Sequence, residues 1–488
     1  MVSPMLLIAM PLGAAFLIVL LGSKIAARIV AIATVAFLAV LAPFWLTAAI
    51  SEPIAIVLAD VVPPLGIAFG LDAVSAGFVL LIAVSGLLVL LYSLPYIPHA
   101  GEFKGKEKAE VRYYAIFLLL LAGAFGLVMT KDIFNLFVFF EILCISSYLL
   151  VAYSQEERAL EASFKYMVLG SIGSAFMLVA IGLSYRLSGS LAMTDIAKAL
   201  AAAPASYSTL VSVLFVFGFG IEAAIFPLNT WLPDAHSSAP SSISAVLSGF
   251  VIEVALVVLV RLSLNIFSGT MLLVLSVLAL AGVLVGEMAA LGQKELKRAL
   301  AFSSIGQVSM MLFAFTLGSE IGRWAGFGQL LMHAGAKSAL FLVSGYFIVR
   351  TGSHEIEAYR GLGRKMPAAS AFFAIAALSL VGMPPFFGFF TKLRILEAAA
   401  AAHSGIGYAG IVVILFATVI ESIYLFRIVR TLYGANAEAA VSSSAGGDLP
   451  VFAWIAVAGF VLLVLVGGFI IPSFDRLLQP MAAVLATI

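Results

Sequence analysis

Cysteine is nearly absent. Cys144 stands alone in 488 residues, so no internal disulfide and no cysteine-based metal cluster can form. It lies in an apolar run and reads as packing. Charge is scarce too, at 10% of residues against 63% hydrophobic. A water-soluble domain carries about a quarter charged residues, so a water-exposed fold is excluded and the chain belongs in lipid. The net charge of +1 gives no electrostatic basis for binding nucleic acid. Nucleotide loops, nucleophile motifs, haem motifs and metal-ligand spacings are missing, and the sequence implies no cofactor. The opening stretch MVSPMLLIAMPLGAAFLIVLLGSK has no basic segment before its apolar run. It reads as a first span, not a cleaved signal.

What is present is a series of long apolar runs. A spanning helix needs roughly 20 such residues. The runs predict an all-α polytopic membrane protein with about fourteen spans, at 4–22, 28–48, 72–94, 113–130, 132–153, 163–187, 207–231, 241–263, 270–291, 298–318, 324–350, 368–399, 406–431 and 450–471. The link around Glu52–Asp60 is too polar and proline-rich to span and reads as an external hairpin or loop. Ala435–Pro450 reads as a surface loop. Two runs carry helix breakers, at Phe226-Pro227 and at Met383-Pro384-Pro385. Each broken span is the fourth in a set of five, so the sets run in opposite directions across the membrane. Inverted repeats with paired broken helices are a transporter pattern. The organisation expected is residues 1–112 with three helices and an external loop, repeats at 113–263 and 270–431, and a loop plus last helix at 432–488.

Seventeen of the 26 basic residues fall in alternate loops, six in the others or at the termini, and three inside spans. By the positive-inside rule this predicts a cytoplasmic-membrane protein with both termini on the outer side.

Charges deep in apolar sequence are costly and by default mark an ion path. Glu141 lies mid-span in IFNLFVFFEILCISSYLLVAY. Glu222 precedes the Pro227 break, and Glu253 lies mid-span after it. A broken helix frees backbone groups beside a cavity. His333 and Lys337 are four residues apart and share a helix face. Histidine titrates nearest neutrality, and a lysine in low dielectric can carry protons. Lys392 follows the second break. Five of these six have a plainer reading of their own: helix packing for Glu141 and Glu253, capping of freed backbone for Glu222, a core histidine for His333, snorkelling for Lys392. Glu421 reads equally as relay member or snorkelling anchor. Asp234 and His236 form a short polar turn at a helix end. Arg394 and Glu397 read as a local pair. Packed repeats would align the six as a polar row near the bilayer midplane, with waters bridging its members.

The segments FPLNTWLPDAHSSAPSSISAVLSG, GEMAALGQKELKRALAFSSIGQVSMM, HAGAKSALFLVSG, GLGRKMP and MPPFFGFFTK resemble the antiporter-like subunit family. That family includes the D-type subunit of Mrp-type cation/proton antiporters, the proton-pumping subunits of respiratory complex I, and relatives in membrane-bound hydrogenases. The similarity runs from about Asp72 to Arg430. It implies a fourteen-helix core with inverted repeats, a central hydrophilic axis, partner membrane subunits, and transport of H⁺, with Na⁺ as the exchanged ion in the Mrp case. The expected fourteen-helix length lacks the long C-terminal lateral helix of the largest complex I relative, which favours a subunit of the Mrp D type or its close counterparts. The alternative is the pumping arm of a redox-driven complex, a quinone reductase or hydrogenase, whose oxidoreductase chemistry resides in partners.

In that family a helix-five glutamate pairs with a helix-seven lysine, and helix eight carries another lysine. Glu141 matches the glutamate, but Glu222 and Glu253 stand at the lysine positions. His333, Lys337 and Lys392 follow the pattern. Two nearby carboxylates cannot both ionise cheaply. Glu141 and Glu222 are therefore expected within coupling range, sharing one proton or holding one Na⁺. A competing reading is that this half no longer conducts and its carboxyls only satisfy packing.

Overall fold

A computed structural model describes residues 2–57, 61, 66–99, 107–266, 269–435 and 448–485. Its helices are α1 (Leu6–Leu21), α2 (Lys24–Ser51), α3 (Ala73–Tyr96), α4 (Glu107–Met129), α5 (Ile133–Val151), α6 (Glu157–Ser188) and α7 (Met193–Ala202). There follow α8 (Ala205–Glu222), α9 (Leu232–Ser238), α10 (Ser241–Val246), α11 (Ile252–Ile266), α12 (Gly269–Leu291), α13 (Leu296–Thr316) and α14 (Glu320–Thr351). The last are α15 (Leu362–Lys365), α16 (Pro367–Val381), α17 (Phe387–Ala401), α18 (Gly405–Leu432), α19 (Val451–Val466) and α20 (Ile471–Val484).

Among the described residues, eleven helices are long and apolar enough to cross a membrane, or twelve if the bent pair at 356–365 and 367–381 is one span. The chain is thus a multi-pass helical membrane protein. The expected breaks are present: α8 ends at Glu222 and α9 starts at Leu232, while α16 ends at Val381 and α17 starts at Phe387. A π-helical turn, Leu247–Val251, joins α10 to α11. Such turns recur at functional sites.

The link expected to form a hairpin or loop carries a two-stranded antiparallel ribbon, β1 (Ile54–Val57) against β2 (Ala68–Leu71), with Ile54 opposite Leu71. Residues 58–60 of that link, and 436–447 of the predicted surface loop, lie outside the described residues. One element was not foreseen. The amphipathic α20 packs Leu478 and Met481 inward against α3 and α14, and its Asp475, Arg476 and Gln479 hid it from a search for apolar runs.

Outward-facing helices carry bare apolar side chains: Phe16 is 72% exposed, Val412 68% and Val40 65%. Such faces suit lipid, not water. The centre is α10–α11, α13 and α14, whose side chains are almost all buried. Near the helix ends, ion pairs fix one helix to another. Arg28 holds Glu110 at 2.6 Å. Arg261 and Lys131 hold Asp72 at 2.6 and 3.1 Å. Burial of Asp72 opposes its ionisation, but these two cations and the Ser75 amide outweigh it and keep the carboxyl well below the usual range.

Helices α12 and α13 touch backbone to backbone. A Cβ on Gly286 would come 2.5 Å from the Gly306 nitrogen. Without a hydrophobic drive between helices in lipid, close packing of small residues supplies the association. We expect Gly286→Leu to destabilise the protein by about 1–3 kcal/mol, as overpacking does. Gly182→Leu, where nothing lies within 4 Å, should be neutral. Thermal unfolding in detergent measures both.

Candidate functional site

Glu222 is the last residue of α8 and has no solvent exposure. The chain turns sharply after it, with Ala224 in the left-handed region at φ 53°. Tyr166 on α6 donates its hydroxyl to Glu222 Oε1 at 2.5 Å. The Tyr166 ring stacks on Trp231, centroids 3.6 Å apart, and Trp231 Nε1 donates at 2.7 Å to the Ile221 carbonyl, which also takes the Ala224 amide at the turn. The break therefore supplies both the cage around Glu222 and the acceptor that fixes the cage. Glu222 Oε2 has no hydrogen-bond partner among the described residues. Buried Cys144 on α5 neighbours this carboxyl. Glu141, one turn earlier on α5, is only half-buried and accepts the Ser174 hydroxyl. Glu141 and Glu222 are thus bonded to different hydroxyls.

The next cluster lies where α11, α13 and α14 meet. His333 Nδ1 is 2.8 Å from Glu253 Oε1, and neither side chain has any exposure. The remaining atoms, His333 Nε2 and Glu253 Oε2, have no protein partner. Lys337 shares the His333 face, as its spacing predicts, but its Nζ donates to the Leu300 carbonyl at 2.9 Å and not to Glu253. Ser304 Oγ donates to the same carbonyl at 3.2 Å and lies 3.0 Å from Ser248 Oγ. Ser248 leads on to His236 Nε2 at 3.4 Å. His236 is fully buried, stacked on Phe341. Asp234, two residues earlier, points the other way, to Arg298 at 2.6 Å and Lys165 at 3.2 Å. Partial burial opposes ionisation of Asp234, yet these two cations hold its carboxyl below the ordinary value. The polar turn therefore divides into a surface ion-pair anchor and a core histidine.

The third cluster surrounds the second break. Lys392 on α17 pairs with Glu421 on α18 at 2.6 Å, and donates to the Val381 carbonyl at 3.2 Å. That carbonyl ends α16, where the helix dipole favours a cation. Glu421 is therefore a partner within the buried network rather than a snorkelling anchor. A run of amides extends from it. Gln307 donates to Glu421 at 2.7 Å, Gln329 to Gln307 at 2.5 Å, and Thr391 to Gln329 at 2.6 Å. One turn along α18, Tyr424 donates to Glu287 at 2.7 Å. Arg394 and Glu397 pair at 2.9 Å on the surface.

Sequence reasoning missed Glu287, a carboxylate only 1% exposed with Oε1 unpartnered. It sits near the end of a span, and a rule favouring mid-span charges passes over it. Gln307, Gln329 and Tyr166 were missed because they are uncharged. Lys297 was counted with the loop lysines, yet it is 3% exposed and donates to the Ala239 carbonyl. Among the described residues, no three of His, Cys, Asp and Glu converge as a metal site would require.

A family model described as NADH:quinone oxidoreductase/Mrp antiporter, TM, matches residues 130–421. The NADH-quinone oxidoreductase subunit N of Desulforudis audaxviator is 32% identical over 78% of this chain and 77% of its own length. The D-type subunit of a Na(+)/H(+) antiporter of Bacillus subtilis is 31% identical over 69% of this chain and 68% of its own. Among solved structures, a chain of the membrane-bound sulfane sulfur reductase, an archaeal respiratory membrane complex, superposes with a TM-score of 0.86 at 33% identity. That superposition covers 99% of this chain and 97% of the other.

Removing one partner of a buried ion pair leaves an uncompensated charge and costs about 3–5 kcal/mol. Glu421→Leu and Lys392→Met should each lower the melting temperature in detergent. The double variant should melt above either single one, a coupling that a double-mutant cycle isolates. Additive losses would show that the pair is not coupled.

Proposed function

The chain belongs to the NADH:quinone oxidoreductase/Mrp antiporter transmembrane family, and from that premise we propose that it moves protons across the membrane as one subunit of a multisubunit membrane complex. The observation that supports this most is a set of neighbouring clusters of buried titratable groups, each held together by side-chain or main-chain hydrogen bonds. They comprise Glu222, His236, Glu253, His333, Lys337, Lys392 and Glu421, all buried in a bundle whose outer helices carry exposed apolar side chains. Buried carboxylates and histidines in lipid are costly unless they are paired, protonated or hydrated. Several here keep one atom without a protein partner, and waters at those atoms would complete a hydrogen-bonded path.

The proposed roles follow the geometry. Glu222 has no cation beside it and stands at the negative end of α8, so it holds a proton, or a Na⁺ as the alternative occupant, and exchanges it with Glu141 past Cys144. Glu253 and His333 share a proton across 2.8 Å. Lys337 passes charge toward Lys392, which Glu421 holds. Two five-helix sets, α4 to α11 and α12 to α18, are proposed as inverted repeats. Each has its break in the fourth span, and each opens with a glycine-mediated contact: Gly123 on α4 against Leu143, and Gly286 on α12 against Gly306. Counting α1 and α19 with the long helices and the α16 unit gives fourteen spans. The basic loops support a cytoplasmic-membrane location with both termini outside. The domain limits proposed remain 1–112, 113–263, 270–431 and 432–488.

Two driving forces fit this site. In the first, as the name of the Na(+)/H(+) antiporter relative suggests, proton flow exchanges against Na⁺. In the second, electron transfer in partner subunits drives it, as the names of the quinone oxidoreductase relatives suggest. Purification of the native complex in mild detergent, with its subunits identified by mass spectrometry, separates them. Partners without redox centres mean the antiporter. Iron–sulfur or nickel subunits mean the redox pump.

Within either complex, Glu222→Gln should reduce proton transport strongly, by about a hundredfold for loss of a proton-transfer group. Lysine at Glu222 and Glu253 should restore it in part. A pH-sensitive dye in inverted vesicles measures the flux, and undiminished transport in Glu222→Gln refutes a conducting first half.

A further inference from the structure

A cavity of about 420 Å³ opens at the ends of α3, α9 and α14, with Glu156, His354, Ser238 and Lys297 in its walls. It lies on the side where most of the basic loops emerge. Lys297 stands in its wall, 3% exposed, and its Nζ donates to the Ala239 carbonyl. Ala239 caps α9, three residues after His236. His236 is fully buried, and its Nδ1 has no partner in the protein. From His236 the contacts already described continue through Ser248 and Ser304 to the Leu300 carbonyl, where Lys337 donates.

We infer that this cavity is the proton inlet and that Lys297 is the gate between it and the buried row. The inference rests on the proton-moving reading above and adds an entry point and a residue to it. The step balances simply. The Lys297 ammonium breaks from Ala239 and passes one proton inward to His236 Nδ1. The neutral amine then takes one proton from water in the cavity and re-forms the bond. An ammonium that does not deprotonate at this position would hold the same carbonyl but pass nothing. Arginine is such a cation, since it stays charged at any ordinary pH.

The test uses the native complex in vesicles of known orientation. Lys297→Arg should assemble normally yet move protons roughly tenfold more slowly or worse, as loss of a proton-transfer group does. A merely structural lysine would be replaced without loss. Independently, a cysteine in place of the exposed cavity residue, Glu156→Cys, should let a membrane-impermeant methanethiosulfonate reagent block transport from the side bearing the basic loops and not from the other. The native Cys144 is buried, so the unmodified complex treated in the same way is the control. Full transport by Lys297→Arg, or no block at Glu156→Cys, overturns the gate. If Lys297→Arg does not assemble, the cysteine experiment decides alone. Absence of proton movement by the unmodified complex overturns both the gate and the reading beneath it.

Discussion

A charged group placed inside lipid must find a partner, a proton or water, because the alternative costs several kilocalories per mole. Each deep ionisable residue in this chain meets that demand differently. Lys392 and Glu421 pair as opposite charges at 2.6 Å. Glu253 and His333 meet as groups able to share a proton. Lys337 and Lys297 have no carboxylate in hydrogen-bond contact and lean on main-chain carbonyls instead. Glu222 has only a phenol and a thiol. The centre of the bundle is arranged around these solutions, and α10–α11, α13 and α14 are buried because they carry most of them.

The helix breaks connect sequence to this arrangement. A continuous helix consumes its own carbonyls; a broken one leaves some free. At the first break the Ile221 carbonyl takes the Trp231 indole, which orders the Tyr166 ring and so the hydrogen bond to Glu222. At the second break the Val381 carbonyl takes Lys392 directly. A third acceptor, the Ala239 carbonyl at the end of α9, takes Lys297. The prolines therefore do more than bend helices, since they create polar sites where apolar sequence offers none.

Much of this is legible in the amino-acid sequence. The apolar runs mark the spans, and Pro227 and Pro384-Pro385 mark both breaks. The four-residue spacing puts His333 and Lys337 on one face. What the sequence could not reveal was pairing. Nothing in it joined Glu253 to His333 across 80 residues, or Lys392 to Glu421 rather than to Arg394's neighbour Glu397. Glutamines gave no signal because a neutral amide costs little to overlook in a search for charge, yet Gln307 and Gln329 extend the Lys392 cluster by two hydrogen bonds. Lys297 was hidden by a correct rule applied to the wrong case. It lies among loop lysines that obey the positive-inside bias, but its own side chain turns into the core. The helix α20 was hidden by its polar face.

The two halves of the molecule are built on different electrostatics, and this bears on how charge can move through them. Around the second break the acid Glu421 has a cation in contact, and Lys392 is held at the end of a helix dipole that favours it. A charge can rest there at modest cost. Around the first break Glu222 faces no cation and ends a helix whose dipole opposes a negative charge. An ion resting there must bring its own compensation, as a proton or a metal cation does. A carboxylate where the family resemblance implies a lysine thus changes what the site must hold in its resting state, without altering the helix break that builds it. The second half can store separated charges, whereas the first can store only a neutralised one. On the proton-moving reading proposed above, the Glu253–His333 contact is where the two halves would communicate, since its 2.8 Å hydrogen bond joins a carboxyl on α11 to an imidazole on α14.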